Sequence, residues 1–507
     1  NEVMHLDDVE NETAPRVEQY LSKIKVIRRI AHKIIDFLAQ LEDFQKKLWL
    51  KKKFVVETNY CIRLGVIPEE FYPEIAANDA QREEWVRLCA IDEIKGDLTT
   101  PGYSVPLTVD FLKAHPTLVV DTRHFSGDFI SRLLQRTDDI DTKTDGALVH
   151  SENFQALSLL QQRYRSEVKF IYIDPPYNTG SDGFAYKDAY QHSTWLSALD
   201  DRLALSMRLL SNAGIYAVSI GEDEFEKLAY LMKASSLRSV VPFVWKSRAK
   251  PTNAGEARLK PQLSAEFVLF GMLTATTTFY PLTSGHSRKY PHSDELGSFR
   301  VTSILTSNLG RYRRETMRFD VAGYTPPDDK RWKAGQEEIL DLLKRKRLAF
   351  NNEGEPYAKV YEHDEEELHI PLWTFMPEDV TGTAESGKAD LGRIVGATHG
   401  IDSVKPKELL AVFLEATTRS DVVLDFYAGS GTTGHAAIWL NREDGEQRRF
   451  ILVEQGDHFD TVLLSRLKKV TYTPEWKDGK PARLATAEEA ERSPRIMKVI
   501  RLESYED

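Results

Sequence analysis

Apolar and polar positions along the chain follow two different periods. Between residues 21 and 53, Ile24, Ile27, Ile34, Phe37 or Leu38, Leu41, Phe44 and Leu48 recur at helical spacing. That pattern predicts one long amphipathic helix. Lys and Arg fill its other faces and run out in Lys51-Lys52-Lys53. The twenty residues before it are acidic and aperiodic, as in a loose tail. Residues 54–145 read as mixed helices and loops and carry no chemical motif.

From Gly146 the texture changes. A short apolar strand is expected at 147–150 and a helix at 153–164. The β-prone run Val168–Ile173 stops at Asp174-Pro175-Pro176. An amphipathic helix follows at 194–210, a strand at 215–220 and a helix at 222–233. Residues 238–390 are irregular, basic and rich in Thr, Pro and aromatics. Helix returns at 406–418, strand at 422–426, helix at 432–440 and strand at 450–454. Strand–helix alternation predicts a parallel α/β sheet, here on both sides of the basic stretch. The simplest arrangement is one doubly wound domain interrupted by a recognition domain. Its expected parts are a mostly helical N-terminal extension (1–145), a first α/β part (146–237), the insert (238–390) and a second α/β part (391–507).

Composition narrows the class. At 507 residues, 41% hydrophobic and 29% charged, the chain is neither disordered nor fibrous. Its two cysteines, Cys61 and Cys89, exclude a disulfide scaffold and a four-cysteine zinc site. No metal is expected, and the cysteine usage fits a reducing cytoplasm. No apolar run approaches the ~20 residues of a membrane span, and no membrane partner is expected. The net charge of −11 hides an uneven distribution. From Arg238 to Phe350 there are 20 Lys+Arg against 11 Asp+Glu, a local +9 that leaves −20 for the remainder. A basic middle between acidic flanks suits a nucleic-acid-binding segment, and equally a solvated basic face.

Two motifs carry chemistry. Gly429-Ser430-Gly431-Thr432-Thr433-Gly434 follows a predicted strand and opens a predicted helix. In that context G-x-G-x-x-G marks a tight turn that brings a ligand against backbone and helix N-terminus. Glu454 stands twenty residues on, where a carboxylate can accept hydrogen bonds from ribose hydroxyls. A nucleoside cofactor is therefore expected. His435 stands where a phosphate-binding Walker loop needs lysine. The second motif, Asp174-Pro175-Pro176-Tyr177, ends a strand, on the ligand side of an open α/β sheet. Prolines lack N–H donors. A carboxylate, an outward carbonyl and an aromatic ring suit an exocyclic amine on a planar base. Asp174 and the Pro175 carbonyl would accept its hydrogens while Tyr177 stacks on the ring.

Together these motifs resemble those of the amino-group DNA methyltransferases. The order, with Asp174-Pro175-Pro176-Tyr177 first and Asp425-Phe426-Tyr427-Ala428-Gly429-Ser430-Gly431 last, is similar to the β class. The stretch Ile171 to Gly180, with Trp195, Arg202, 221–228, Lys405-Pro406 and 450–454, resembles the modification (Mod) subunits of type III restriction-modification systems. The resemblance implies a Rossmann-like, S-adenosylmethionine-dependent fold over 146–507. It implies that Asp425, Phe426, Ala428, Gly429, Gly431, Thr432, Thr433 and Glu454 hold that cofactor, with Lys405 beside its methionine part. Ser151-Glu152-Asn153 stands where the family often has G-D-N, so Glu152 and Asn153 are its implied adenine contacts. The implied reaction is methyl transfer to adenine N6 in duplex DNA by base flipping, in restriction or phage defence. Alternatives are cytosine N4, an inactive recognition subunit or, on the glycine loop alone, an NAD-dependent oxidoreductase. The basic insert would contact DNA through Lys246, Arg248, Lys250, Arg311, Arg313 and Arg314. Implied partners are a Res-like helicase-nuclease, since no such motif occurs here, and a second copy in a homodimer. The start at Asn1 and the closing Leu502–Asp507 run suggest part of a longer protein.

Overall fold

The structure, a computed structural model, describes residues 14–96, 101–137, 139–178, 192–250, 263–274, 277–282, 290–351, 353–364 and 370–503. Its main sheet has eleven strands. In chain order they are β1 (Val55–Arg63), β2 (Val119–Asp121), β3 (Thr144–His150), β4 (Val168–Ile173), β5 (Leu210–Ile220), β6 (Ser239–Trp245), β7 (Glu266–Met272), β8 (Phe375–Met376), β9 (Val422–Asp425), β10 (Arg449–Glu454) and β11 (Ile496–Leu502). The helices that matter are α1 (Ala14–Leu50), α2 (Asn153–Leu160), α3 (His192–Ser206), α4 (Glu222–Ala234), α5 (Ala384–Val395), α6 (Lys407–Thr417) and α7 (Thr432–Asp444). Spatial order across the sheet is β8-β6-β7-β5-β4-β9-β10-β3-β11-β1-β2.

Six central strands, β5-β4-β9-β10-β3-β11, run parallel. A strand buried on both faces needs a continuous apolar run, and β4 supplies one. Phe170 and Tyr172 enter one core, while Ile171 and Ile173 enter the other. Trp195, Leu199 and Leu203, four residues apart on α3, cover the Ile171/Ile173 face. Helices α6 and α7 cover the opposite face. The helices that follow β4 and β9 thus leave on opposite faces from neighbouring strands. That divergence opens a crevice at the carboxyl ends, and both motifs border it.

Two domain expectations change. The N-terminal region is not a separate helical extension: β1 pairs antiparallel with β11, and β2 with β1. Its side chains join the main core, and Lys468 Nζ bonds to Glu84 and Asp121 at 2.7 and 2.6 Å. Burial opposes ionisation of Glu84, yet hydrogen bonds from His124 and Lys468 bring its pKa down to about 2. The insert is also shorter than 238–390. Strands β6, β7 and β8 extend the main sheet. A separate four-stranded sheet is built from His292–Asp294, Gly297–Ser303, Leu348–Phe350 and Pro356–Tyr361. Beside it, a hairpin and the helix Gln336–Lys344 share a small core of Ile304, Val321, Trp332, Ile339 and Leu348. Alternation in β6 and β7 was hidden because both strands are largely apolar on two faces.

None of the described helices is long and apolar enough to cross a membrane. Cys61 and Cys89 are free and buried. Helix α5 closes tightly on the segment that carries Lys405: a Cβ on Gly387 would strike the Val404 carbonyl and lie 2.8 Å from Pro406 N. Helix propensity alone makes Gly387→Ala stabilising by about 1 kcal/mol. The backbone contact reverses the sign, to a loss of about 1–3 kcal/mol. Urea denaturation checks this, and an unchanged or higher midpoint for Gly387→Ala contradicts the close approach.

Candidate functional site

The crevice holds a cavity of about 550 Å³. Its floor is the glycine loop between β9 and α7. Gly429 and Gly431 have φ of +51° and +80°, conformations that side chains resist. A Cβ on Gly429 would meet nothing within 4 Å, while one on Gly434 would lie 2.9 Å from Leu452. The first glycine therefore leaves open space on the cavity wall. The third lets α7 pack against β10.

Carboxylates ring this floor. Asp425 is buried; its oxygens accept from Tyr427 N at 3.0 Å and Thr433 Oγ1 at 2.6 Å. Burial pushes its pKa up to about 7. Glu454 accepts from the backbone N–H of Gly429, Gln455 and Gly456 at 2.8–2.9 Å, so its aim is fixed. His458 Nε2 lies 3.7 Å from it, and hydrogen bonding to Glu454 raises the imidazole pKa. Thr432 Oγ1 accepts from buried Arg466, which gives that hydroxyl a structural partner within the loop. Glu152 caps α2 through Gln155 N and pairs with Arg202. Asn153 accepts from Arg202 Nε and donates to the Phe426 carbonyl at 3.4 Å. Glu152, Asn153, Asp425, Phe426, Ala428, Gly429, Thr432, Thr433, Glu454 and Lys405 all line the cavity; Gly431 sits behind it, against Leu463.

Asp174, Pro175 and Pro176 form the opposing wall. Trp195 Nε1 donates to the Pro176 carbonyl at 2.9 Å. Among the described residues no hydrogen bond engages the Pro175 carbonyl. Tyr177 is not part of the wall, in contrast to the expected exposed stacking ring. Its ring lies against Gly221, where a Cβ would be 3.2 Å from Cδ2. Its hydroxyl donates to Glu266 Oε2 at 2.8 Å and accepts from Lys405 Nζ at 2.9 Å.

Lys405 is almost fully buried and sits 3.1 Å from Asp174 Oδ2 and 3.2 Å from Glu266 Oε2. Burial disfavours its charge, but the two carboxylates more than compensate and raise its pKa. Burial raises the Asp174 pKa despite Lys405. At Glu266 burial acts the same way, but the Lys405 charge and the hydrogen bonds from Tyr177 and Lys405 outweigh it and lower the pKa. Lys405 was expected beside a cofactor; the structure joins it to Asp174 as well. Glu266 went unrecognised because it lies in the stretch assigned to the insert. Only the strand pairing Trp245↔Glu266 and Ile220↔Phe267 brings it to the site.

The basic positions are dispersed. Lys246 pairs with Glu378 at 2.8 Å, and Arg313 with Glu315. The backbone N–H of Arg314 donates to Asn308. Lys250 is exposed, while Arg248 and Arg311 each have an interaction partner. None lines the cavity.

Comparison with known proteins agrees with this geometry. The type III restriction-modification enzyme StyLTI Mod subunit of Salmonella typhimurium is 29% identical over 353 residues, 59% of this chain and 51% of that protein. The probable HindVI Mod subunit of Haemophilus influenzae is 24% identical over 388 residues, 65% of this chain and 51% of its own length. The chain thus spans about half the length of each. Among solved structures, a DNA modification methylase of Thermus thermophilus complexed with S-adenosyl-L-methionine aligns with 66% of this chain and 98% of its own, at 14% identity and TM-score 0.32. The DNA methylase family matches residues 168–463, which span both motifs and the crevice between them. This chain belongs to the DNA methylase family.

Proposed function

We propose that the chain transfers a methyl group from S-adenosylmethionine to the N6 amino group of adenine in duplex DNA. The observation that carries this reading is that Asp174 and the glycine loop face one cavity from adjacent parallel strands. The residues fit the cofactor. Open space at Gly429, the N-terminus of α7, and the fixed carboxylate of Glu454 match the amino-acid and ribose parts of such a molecule. The cavity volume is within the usual range for small-molecule sites, roughly 300–1,000 Å³. Asp425, Phe426, Ala428, Gly431, Thr432 and Thr433 shape the floor, and Glu152 and Asn153 the adenine end. When bound, the cofactor supplies an electrophilic methyl on a sulfonium.

The chain's own groups then act on the base. An amino group buried in a duplex must be swung out to be reached. Asp174 Oδ1 and the Pro175 carbonyl accept its two hydrogens and turn its lone pair toward the glycine loop. One face of Tyr177 lies against Gly221, and the base stacks on the other. The Asp174 carboxylate strengthens its hold as positive charge builds on the amino nitrogen, so it favours the transition state over the ground state. It also accepts the proton that the nitrogen gives up. No step needs a covalent bond to the chain. The relatives named as Mod subunits, together with Asp at the first motif position, favour adenine over cytosine. DNA cleavage would fall to a separate Res-like helicase-nuclease.

The exposed stripe of α1 supports pairing with a second copy. Leu21, Ile27, Ile30, Ile34, Phe37, Leu38 and Leu41 are each 44–59% exposed. Ile24, Ile27, Ala31, Ile34, Leu38 and Leu41 keep a strict three–four spacing, the seam of a coiled coil. Lys25, Arg28, Arg29 and Lys33 precede Asp36, Glu42 and Asp43. An antiparallel pair centred near Asp36 sets Arg28 against Glu42 of the second copy, whereas a parallel pair stacks like charges.

Two measurements test these statements. Nucleoside mass spectrometry on unmethylated DNA, incubated with protein and S-adenosylmethionine, is expected to show N6-methyladenine. Asp174→Ala is expected to lower the yield at least ~10²-fold. N4-methylcytosine would move the target to cytosine, and no product with wild-type protein would remove the reading. Light scattering after size exclusion is expected to give a dimer, and Ile27→Glu with Leu41→Glu a monomer. A monomeric wild type contradicts the pairing.

A further inference from the structure

The cluster around Asp174 has an arithmetic that methyl transfer alone does not explain. One buried ammonium, Lys405, faces two carboxylates, Asp174 and Glu266, at 3.1 and 3.2 Å. Its remaining N–H goes to the Tyr177 hydroxyl at 2.9 Å. A lysine has three donors, so Nζ is held on every side. The rings of Tyr177 and Trp245 flank it, with centroids 5.0 and 5.6 Å away. Trp245 and Glu266 are register partners at the end of the β6–β7 hairpin. The Trp245 indole is itself anchored to the Gly382 carbonyl at 3.0 Å. A two-stranded hairpin, a loop and the chain before α6 therefore converge on one carboxylate.

We propose that Lys405 and Glu266 are positioning residues for Asp174. Lys405 keeps Asp174 ionised and aimed. Glu266 keeps the buried cluster one negative charge in excess. The assignment rests on the methyl-transfer reading above and deepens it. Without Lys405, two carboxylates would share a small buried site and retain a proton between them, as paired acids do. Without Glu266, the ammonium would belong to Asp174 alone. The cluster would then be neutral, and Asp174 a weaker acceptor toward an amino nitrogen gaining positive charge. Glu266 also fixes the Tyr177 hydroxyl, and through it the ring. The other charged or titratable groups that act on Asp174 or on the crevice floor are Tyr172, Asp425 and Glu454. They surround every variant alike.

The two residues push the ionisation of Asp174 in opposite directions, which gives a signature that loss of structure does not produce. The experiment is the pH profile of kcat, with KM for S-adenosylmethionine, for wild type, Lys405→Met, Lys405→Arg and Glu266→Gln. Lys405→Met is expected to move the acid limb up by a unit or more, with activity partly returning at alkaline pH. Lys405→Arg is expected to restore much of the wild-type limb. Glu266→Gln, nearly isosteric, is expected to move the limb down and to lower plateau kcat about 10-fold or more, with KM for the cofactor within twofold. Thermal melting supplies a readout independent of turnover. In Lys405→Met the folded state would hold a proton that the unfolded chain has lost above the ordinary carboxylate range. Its melting temperature should therefore fall more steeply than wild type as pH rises from 5 to 8. Limbs that stay in place, or move in the same direction, overturn the assignment. If Lys405→Met does not fold, the direction of the Glu266→Gln shift decides alone. A wild type that transfers no methyl removes the functional reading instead, and the melting comparison still tests the cluster.

Discussion

Parallel pairing of Val168–Ile173 with Val422–Asp425 is the constraint on which the rest of the structure depends. Neither strand is long, and each is apolar on both faces, so each needs helices above and below. The helix after one leaves on one face and the helix after the other on the opposite face. The backbone then diverges at the carboxyl ends and leaves a crevice. On one side stand Asp174 and Pro175, whose carbonyl cannot be claimed by a proline N–H. On the other stands a loop whose glycines accept left-handed dihedrals. Everything chemical in the molecule follows from these two ends being neighbours.

The crevice is also where the chain concentrates buried charge. Asp174, Glu266, Asp425 and Glu454 lie near one another in a largely apolar setting, an arrangement that costs several kcal/mol per ion unless each is paired or hydrogen-bonded. Each is answered differently. Glu454 is held by three backbone amides, Asp425 by a threonine hydroxyl and an amide, and Asp174 and Glu266 by a shared lysine. Local partners differ, and so do the directions in which their pKa values move. A similar solution recurs away from the site, where Lys468 serves Glu84 and Asp121. That second buried pair ties the N-terminal region to the main core.

The middle of the chain illustrates how composition misleads. Residues 238–390 are basic and irregular when read in order, yet their two ends are strands and helices of the main domain. The hairpin of β6 and β7 carries Trp245 and Glu266 to the wall of the site before the chain departs into the small sheet. Many of its cations are spent on local acids, such as Arg318 on Glu315 and Asp328, and Arg347 on Asp364. A count of charge records the footprint but not the pairing that consumes it.

What the sequence determined by itself was local. The apolar run before Asp174, the glycines before Thr432 and the carboxylate ending the next strand each follow from short-range backbone chemistry, and each stands where its own neighbours put it. The long apolar stripe of α1 was legible for the same reason, since helical periodicity needs no distant partner. The tertiary structure decided what depends on pairing between distant segments. Strand β1 could not be read as an edge of the main sheet, because its partner is the last described strand. Glu266 could not be read as a neighbour of Asp174, because only the order of strands across the sheet brings it there. Lys405 had a motif but no partner until α5, seated closely by Gly387, fixed the chain that carries it. Hydrogen bonds between strands and the packing of helices on them carry no short-range signal, and they set which of the local pieces meet.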